Sequence, residues 1–393
     1  MDRSVIVSAC RTPIGRFLGG LSTVPATRLG ALVVREAVER AGIGADQVDE
    51  VVMGNVVQAG LGQNPARQAA IHGGIPTSVG AVTVNKVCGS SLKAVMLADQ
   101  ALRAGDARLI VAGGMESMSN CPYLLKRART GLRMGHDQIV DSMIADGLWD
   151  VYNDVHMGVT AEMVADKYDV SREEMDEWAF SSHRRALEAI DGNRFDDEIV
   201  PVTIPQRKGD PATFALDEGP RRDTSLEKLG RLKPAFKKDG SVTAGNAPGV
   251  NDGASAVVVT TESHARERSL PVLGRIVASV TAGLDPEWVL MTPEPAIRSL
   301  LTKTGWKPAD VDLYEINEAF AVQQVALAKV LELPGEKHNV CGGAVALGHP
   351  IGASGSRCLT TMLYAMRQRG AKRGIVALCL GGGNAVAMAV EQD

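Results

Sequence analysis

The sequence predicts a duplicated α/β fold, two related halves with a loop-rich insertion between them, and three observations lead there. The chain repeats itself at an offset of roughly 265 residues. At that offset Val48-Asp49-Glu50-Val51-Val52-Met53-Gly54-Asn55 falls on Val311-Asp312-Leu313-Tyr314-Glu315-Ile316-Asn317-Glu318, and Gly105-Asp106-Ala107-Arg108-Leu109-Ile110 falls on Gly370-Ala371-Lys372-Arg373-Gly374-Ile375. In each copy a helix stops at glycine, a basic residue follows and a continuous apolar strand begins. That alternation implies mostly parallel sheets covered on both faces, joined by right-handed crossovers. Residues 121–249 break the pattern, with scattered Met, Arg and Asp and with Pro, Gly and basic residues crowded into 201–240.

Taken in order, Ser4-Val5-Ile6-Val7 reads as a short first strand. The β-branched run Ala81-Val82-Thr83-Val84-Asn85-Lys86-Val87 is a strand ending at Cys88, and 91–104 a helix. Within the insertion 171–190 is an amphipathic helix. The run 251–260 returns as a strand that completes the first half, and 356–369 repeats the helix 91–104 in the second. The expected division is 1–120 plus 250–270 for the first half, 121–249 for an inserted lid and 271–393 for the second half. The register sets Cys88 opposite Ala353, so each half presents an equivalent strand-to-helix turn. In such sheets sites form beyond the carboxyl ends of strands.

Composition narrows the class. The chain has 393 residues, 45% hydrophobic and 22% charged, with a net charge of −4, so no global basic field exists to hold nucleic acid or an acidic membrane. No run of about 18 apolar residues marks a membrane span. The N-terminus lacks the apolar core and cleavage site of a signal peptide. The six cysteines form neither a disulfide framework nor a C-x-x-C pair, which suits a reducing compartment and a cytoplasmic protein.

Four segments combine reactive side chains with glycines: Val87-Cys88-Gly89-Ser90-Ser91, Asn317-Glu318-Ala319-Phe320, Gly348-His349-Pro350-Ile351-Gly352 and Cys379-Leu380-Gly381-Gly382-Gly383-Asn384. A thiol before a helix N-terminus sits in partial positive charge, which favours thiolate and nucleophilic attack; a buried structural cysteine is the other reading of Cys88. On pattern alone His349 is equally a turn residue, Cys379 a core thiol and Asn317 an N-cap. Cys and His gather between 338 and 379 without the tight spacing of a zinc site, so no metal is expected. Neither G-x-x-x-x-G-K nor an opening G-x-G-x-x-G is present to cradle a nucleotide.

These segments, with Gly113-Gly114-Met115-Glu116-Ser117-Met118, His156-Met157-Gly158 and Val242-Thr243-Ala244-Gly245-Asn246 in the same order, resemble the thiolases over essentially the whole chain, nearest to the acetyl-CoA C-acetyltransferase branch of that family. The resemblance implies mixed five-stranded sheets in each half, covered by helices, and a Claisen condensation of two acetyl-CoA to acetoacetyl-CoA or its reverse by thiolysis. By it Cys88 is the acylated nucleophile, His349 the base that takes its proton, and Cys379 the group that exchanges a proton with the substrate α-carbon. His349 and a water held by Asn317 stabilise the enolate oxygen. The N–H groups of Cys88 and Gly381 form a second oxyanion hole, where such donors are typically each worth about 3 kcal/mol of barrier. Arg221 is expected at the nucleotide end of coenzyme A, with Leu148, Leu232, Phe236 and Ala244 along its pantetheine arm. His156, Met157 and Phe320 close the acyl pocket.

Coenzyme A thioesters are then substrates and no cofactor is required. Family resemblance also implies a homotetramer, a dimer of dimers, with the segment 121–134 as an assembly element, and a place in fatty acid metabolism. Three departures bear on substrate range. Pro248 replaces the Ser of Asn-Ala-Ser-Gly and so removes a hydroxyl and an N–H beside the arm. Val289-Leu290-Met291-Thr292-Pro293 is one residue shorter than the family's Met-Gly-Thr-Gly-Pro loop, and Asn384 stands where Met is usual. The rival readings are a 3-ketoacyl-CoA thiolase of broader chain length and a non-catalytic relative that binds acyl-CoA or lipid.

Overall fold

The computed structural model describes residues 2–206 and 208–393. Nine strands run in one hydrogen-bonded path: β1 (Ser4–Arg11), β2 (Glu50–Gly54), β3 (Gly80–Val84), β4 (Leu109–Ser117), β5 (Asn251–Thr261), β6 (Gly274–Gly283), β7 (Leu313–Ile316), β8 (Arg373–Leu380) and β9 (Asn384–Glu391). Their order is β7-β8-β9-β6-β1-β5-β4-β2-β3. The principal helices are α1 (Ala26–Ala41), α2 (Pro65–His72), α3 (Ser90–Ala104), α4 (Met157–Tyr168), α5 (Arg172–Asp191), α6 (Pro293–Thr304), α7 (Ala321–Leu331) and α8 (Ser354–Arg369). α1 and α2 cover one outer face, and α6 and α7 the other. α3 and α8 lie side by side in the middle and touch strands of both halves. α8 is buried from Ser354 through Met366, as a helix with protein on every side must be.

The duplication is visible in single hydrogen bonds. Asp49 Oδ2 accepts from the N–H groups of Arg108 and Leu109 at 2.7 and 2.9 Å, and Asp312 Oδ2 accepts from Lys372 and Arg373 at 2.8 and 3.0 Å. At the centre, Ser356 N–H donates to Ser91 Oγ at 2.9 Å, so the first turns of α3 and α8 are joined.

The sheet is mixed, as the family resemblance implies and the strand-helix alternation does not: only β3–β2, β2–β4 and β7–β8 are parallel. Apolar runs report burial and not direction. The strand β9 returns from β8 through the tight Gly381–Gly383 turn, with Gly382 and Gly383 at φ +82° and +78°, and a hairpin imposes antiparallel pairing. The expected pair of five-stranded sheets is also unequal. The first half has five strands; the second has four and a single bridge between Tyr314 and His338. Here Asn339 substitutes for a strand: its Oδ1 accepts from Ile316 N–H and its Nδ2 donates to Ile316 C=O, both at 2.8 Å. The halves are joined edge to edge where Val5 and Ile6 pair with Arg275 and Gly274.

The intervening segment is bound to the first half by a buried charge cluster. Arg11, 0% exposed at the end of β1, donates to Glu198 at 2.5 Å and to both oxygens of Asp217 at 2.8 and 2.9 Å, and its guanidinium lies 4.9 Å from the Phe195 ring. Asp217 also accepts from Ile14 N–H. Arg11→Met leaves two carboxylates in the interior without their cation and is expected to lower unfolding free energy by about 3–5 kcal/mol. Urea unfolding checks this; a loss under about 1 kcal/mol would mean the cluster does not hold the segment.

Candidate active site

β3 ends at Val84 and the chain turns sharply before α3. Asn85 Oδ1 accepts from Val87 N–H at 3.0 Å, and Ser90 Oγ accepts from Lys86 N–H at 2.8 Å while donating to Val87 C=O at 2.6 Å. These bonds hold Val87 at φ +46°, a left-handed conformation that a β-branched side chain resists at a cost of about 1–3 kcal/mol. The strained turn sets Cys88 one residue ahead of Gly89, the N-cap of α3. The sulfur faces its own N–H and that of Gly381. A Cβ on Gly381 would lie 3.2 Å from Val87 Cγ1, so the hairpin and the cysteine turn fit each other closely.

The thiolate expected at this helix end is not the resting state. Burial pushes the Cys88 thiol up to about 11, outweighing the lowering by the two N–H groups. Cys379, on the penultimate position of β8 and 2% exposed, is pushed higher still by burial and by the neighbouring Cys88. Its side chain faces the same cavity, whereas its apolar strand pattern alone reads as core.

His349 lies in the loop before α8. Its N–H donates to Asn251 Oδ1 at 2.8 Å, and Nδ1 is 2.6 Å from Ser354 Oγ. Because the Ser354 hydroxyl donates to Pro350 C=O at 2.9 Å, the hydrogen-bond network assigns the proton to His349 Nδ1 and leaves Nε2 as a lone-pair acceptor. Burial, with Arg357 nearby, depresses the imidazole to about 3, so it stands neutral. Asn317 follows β7 and places Nδ2 3.4 Å from His349 Nε2. Its Oδ1 lies 3.9 Å from Cys358 Sγ and its C=O accepts from Gln324. Asn317 is not the N-cap of α7, which begins at Ala321 after Phe320. Its side chain is taken up by His349 and Cys358, and of the four expected catalytic residues it alone is not on the wall of the cavity.

Cys88, His349, Cys379 and Gly381 line one cavity of about 260 Å³ with Leu148, His156, Met157, Phe236, Pro248 and Phe320. His156 stacks on Phe236 at 4.9 Å, and Phe320 meets Phe236 edge-on at 6.2 Å. His156 Nδ1 accepts from Gly158 N–H at the start of α4, and a Cβ on Gly158 would sit 2.2 Å from the Phe236 ring. Ala247, Gly249 and Val250 are shared with a second, more polar cleft of about 360 Å³ that holds Arg221, Leu232 and Ala244. The two make one channel, polar and basic outside and apolar within.

Sequence reasoning missed Arg16, Phe17, His183 and Lys228 in the outer cleft. Arg16 arrives only because Gly15–Arg16 pairs with Asn251 and Asp252, a contact no local pattern encodes. It also gave no role to Glu116, whose buried carboxylate accepts from Asn55 Nδ2 and from the N–H groups of Val56, Val57 and Gly352, at 2.8 to 3.2 Å. A carboxylate at the end of an apolar strand beside two glycines was the available signal. Glu116 thereby staples the turn after β2 to the loop that carries His349. Among the described residues no group of three His, Cys, Asp or Glu is placed to hold a metal, and no helix is long and apolar enough to cross a membrane.

Two thiols and a neutral imidazole at the inner end of a channel are the groups that cysteine-dependent acyl transfer requires, here on a duplicated α/β fold. The chain belongs to the thiolase family: the thiolase N-terminal domain matches residues 4–263 and the thiolase C-terminal domain residues 270–392. It is 54% identical over 393 residues to the acetyl-CoA acetyltransferase of Pseudomonas aeruginosa, covering 100% of both chains. It is 54% identical over 392 residues to that of Cupriavidus necator, again covering 100% of both. The crystal structure of the Bacillus anthracis acetyl-CoA acetyltransferase superposes with a TM-score of 0.98 at 45% identity, over 100% of this chain and 99% of that one.

A thiol raised by burial gives a specific pH signature. Alkylation of Cys88 by iodoacetamide, followed by peptide mass spectrometry, is expected to accelerate about tenfold per pH unit from 7 to 9 without levelling. A plateau below pH 8 would show a resting thiolate instead.

Proposed function

We propose that this chain joins two acetyl-CoA into acetoacetyl-CoA and coenzyme A, and cleaves acetoacetyl-CoA in reverse, through an acetyl-Cys88 intermediate. The observation that carries the reading is the placement of Cys88, His349 and Cys379 on one cavity at the inner end of a channel whose mouth holds Arg16, Arg221 and Lys228. Phosphates at the mouth and a pantetheine arm past Leu232, Ala244 and Ala247 fit that gradient of polarity, with Leu148, Phe236 and Pro248 about the inner end.

In the first half-reaction Cys88 Sγ attacks the thioester carbon as its proton passes to His349 Nε2. Thiol and imidazole are both neutral at rest, so attack and proton transfer proceed together. The carbonyl oxygen becomes an oxyanion between the N–H groups of Cys88 and Gly381, and coenzyme A leaves with the proton. In the second, Cys379 first gives its own proton to solvent and as thiolate takes the α-proton of a second acetyl-CoA, whose enolate oxygen is met by His349 and a water on Asn317. The enolate carbon attacks acetyl-Cys88, the carbon–sulfur bond breaks, and acetoacetyl-CoA leaves as the Cys88 thiolate is reprotonated. No cofactor enters either half. His156, Met157 and Phe320 limit the acyl end.

The same reading takes residues 121–249, between halves at 1–120 plus 250–270 and at 271–393, as the unit that holds coenzyme A. It also takes the protein as a cytoplasmic homotetramer serving fatty acid metabolism. Tyr123, Leu125, Leu132 and Met134 are exposed on the segment read as the assembly element. A monomer by light scattering would remove the tetramer.

Mixing with acetyl-CoA is expected to add one acetyl group to Cys88, seen by mass spectrometry and lost in Cys88→Ala. In Cys379→Ala that adduct persists while condensation falls by at least about 1,000-fold; loss of both together would reject the division of labour. Gly381→Ala crowds Val87 and moves one oxyanion donor, so acylation should slow about 100- to 1,000-fold. The broader chain-length reading is favoured by Pro248 at the cavity wall and by a 50% identical relative in Staphylococcus epidermidis named a probable acetyl-CoA acyltransferase. Rates of thiolysis across acyl length decide, and turnover of long-chain substrates equal to that of acetoacetyl-CoA would overturn the short-chain assignment.

A further inference from the structure

Behind Cys379, on the first turn of α7, Gln323 is 0% exposed and its amide is held in one orientation. Its Oε1 accepts from Ala319 N–H at 3.0 Å and from Gln324 Nε2 at 3.2 Å. Gln324 is fixed in its turn, since its Nε2 also donates to Asn317 C=O at 2.8 Å and its Oε1 lies 2.9 Å from His338 Nε2. With two donors on its oxygen, the Gln323 amide cannot flip without setting N–H against N–H. Its Nε2 must point the other way, and there it finds no hydrogen-bond partner in the resting protein. Ala319, to which its oxygen is bonded, lines the cavity together with Cys379, and the Cys379 thiol is the titrating group that the Gln323 amide acts to hold down against burial.

An unpartnered buried amide N–H is costly to keep, and a neutral thiol is a poor acceptor for it. A thiolate is a strong one. We propose that Gln323 Nε2 is the donor that stabilises the Cys379 thiolate, and so sets how readily the second thiol gives up its proton. The donor goes unused while Cys379 is protonated and forms its bond as the sulfur becomes negative. When Cys379 then takes the α-proton the bond weakens again, so Gln323 assists loss of the thiol proton and not attack at Cys88. Among the side chains that act on Cys379, Gln323 alone opposes the rise caused by burial and by Cys88. This assignment rests on Cys379 being the group that exchanges the α-proton.

Gln323→Met removes the donor at similar volume, and Gln323→Glu keeps Oε1 for Ala319 while replacing the N–H by oxygen. In either variant, acetylation of Cys88 by acetyl-CoA should stay within about threefold of the parent rate. Deuterium uptake into the acetyl-CoA methyl group in D2O should fall about 10- to 100-fold, the worth of one hydrogen bond to a charged group. The pH at which that uptake reaches half its maximum should rise by about one unit or more. Unchanged uptake would overturn the proposal, and so would equal loss of uptake and acetylation, which is the mark of a merely structural residue. Cys379→Ala is run alongside: if it still exchanges the methyl hydrogens, the role of Cys379 itself fails, whatever Gln323 does. Should one Gln323 variant not fold, the other carries the same three readouts.

Discussion

The rest of the molecule depends on the close meeting of two helix N-termini at its centre. α3 and α8 start beside each other, joined by Ser356 N–H to Ser91 Oγ, and a Cβ on Gly355 would come within 2.5 Å of Leu92 N. On the strand side the fit is as tight, because a Cβ on Gly114 would lie 2.1 Å from Gly352 C=O. Side chains larger than hydrogen at these points would push the halves apart. The turn that carries Cys88 and the loop that carries His349 are thus set by one contact, and both face the same cavity. Glu116 adds a bond from the first half to Gly352 in the second.

Electrically the site is quiet until substrate arrives. Burial holds Cys88 and Cys379 as thiols and His349 as a neutral imidazole, so the inner cavity carries no charge that a thioester would have to displace. Charge appears there only during the reaction, where fixed N–H groups already point. The basic groups Arg16, Arg221 and Lys228 line the outer cleft instead. Separation of this kind lets one end of the ligand be bound by charge and the other be worked on in a dry pocket.

Much of this was legible in the sequence because it is written locally. The repeat showed in strand and helix punctuation, and the Cys88 and His349 turns showed in glycine next to a reactive side chain. What stayed hidden is non-local or competitive. The neighbourhood of Arg16 is made by strand pairing across more than half the chain, and strand direction is decided by connections that apolar runs do not record. At Cys88 the helix end that favours thiolate is visible in the sequence, and the desolvation that outweighs it is not. Asn317 reads as a cap because its neighbours suit one, and only the later start of α7 shows that its side chain turns to His349 and Cys358 instead. The pattern of Gln323 and Gln324 is unremarkable on paper; the commitment of each amide oxygen needs coordinates.

Asn339 has a consequence beyond the half it completes. By satisfying both backbone groups of Ile316 with one side chain it closes that rim of the sheet, while β3, at the far rim, has no strand on its outer side among the described residues and only Asn64 Nδ2 on its Ala81 C=O, with Val82 42% exposed. A ribbon with one sealed rim and one open rim can gain strands from a single side.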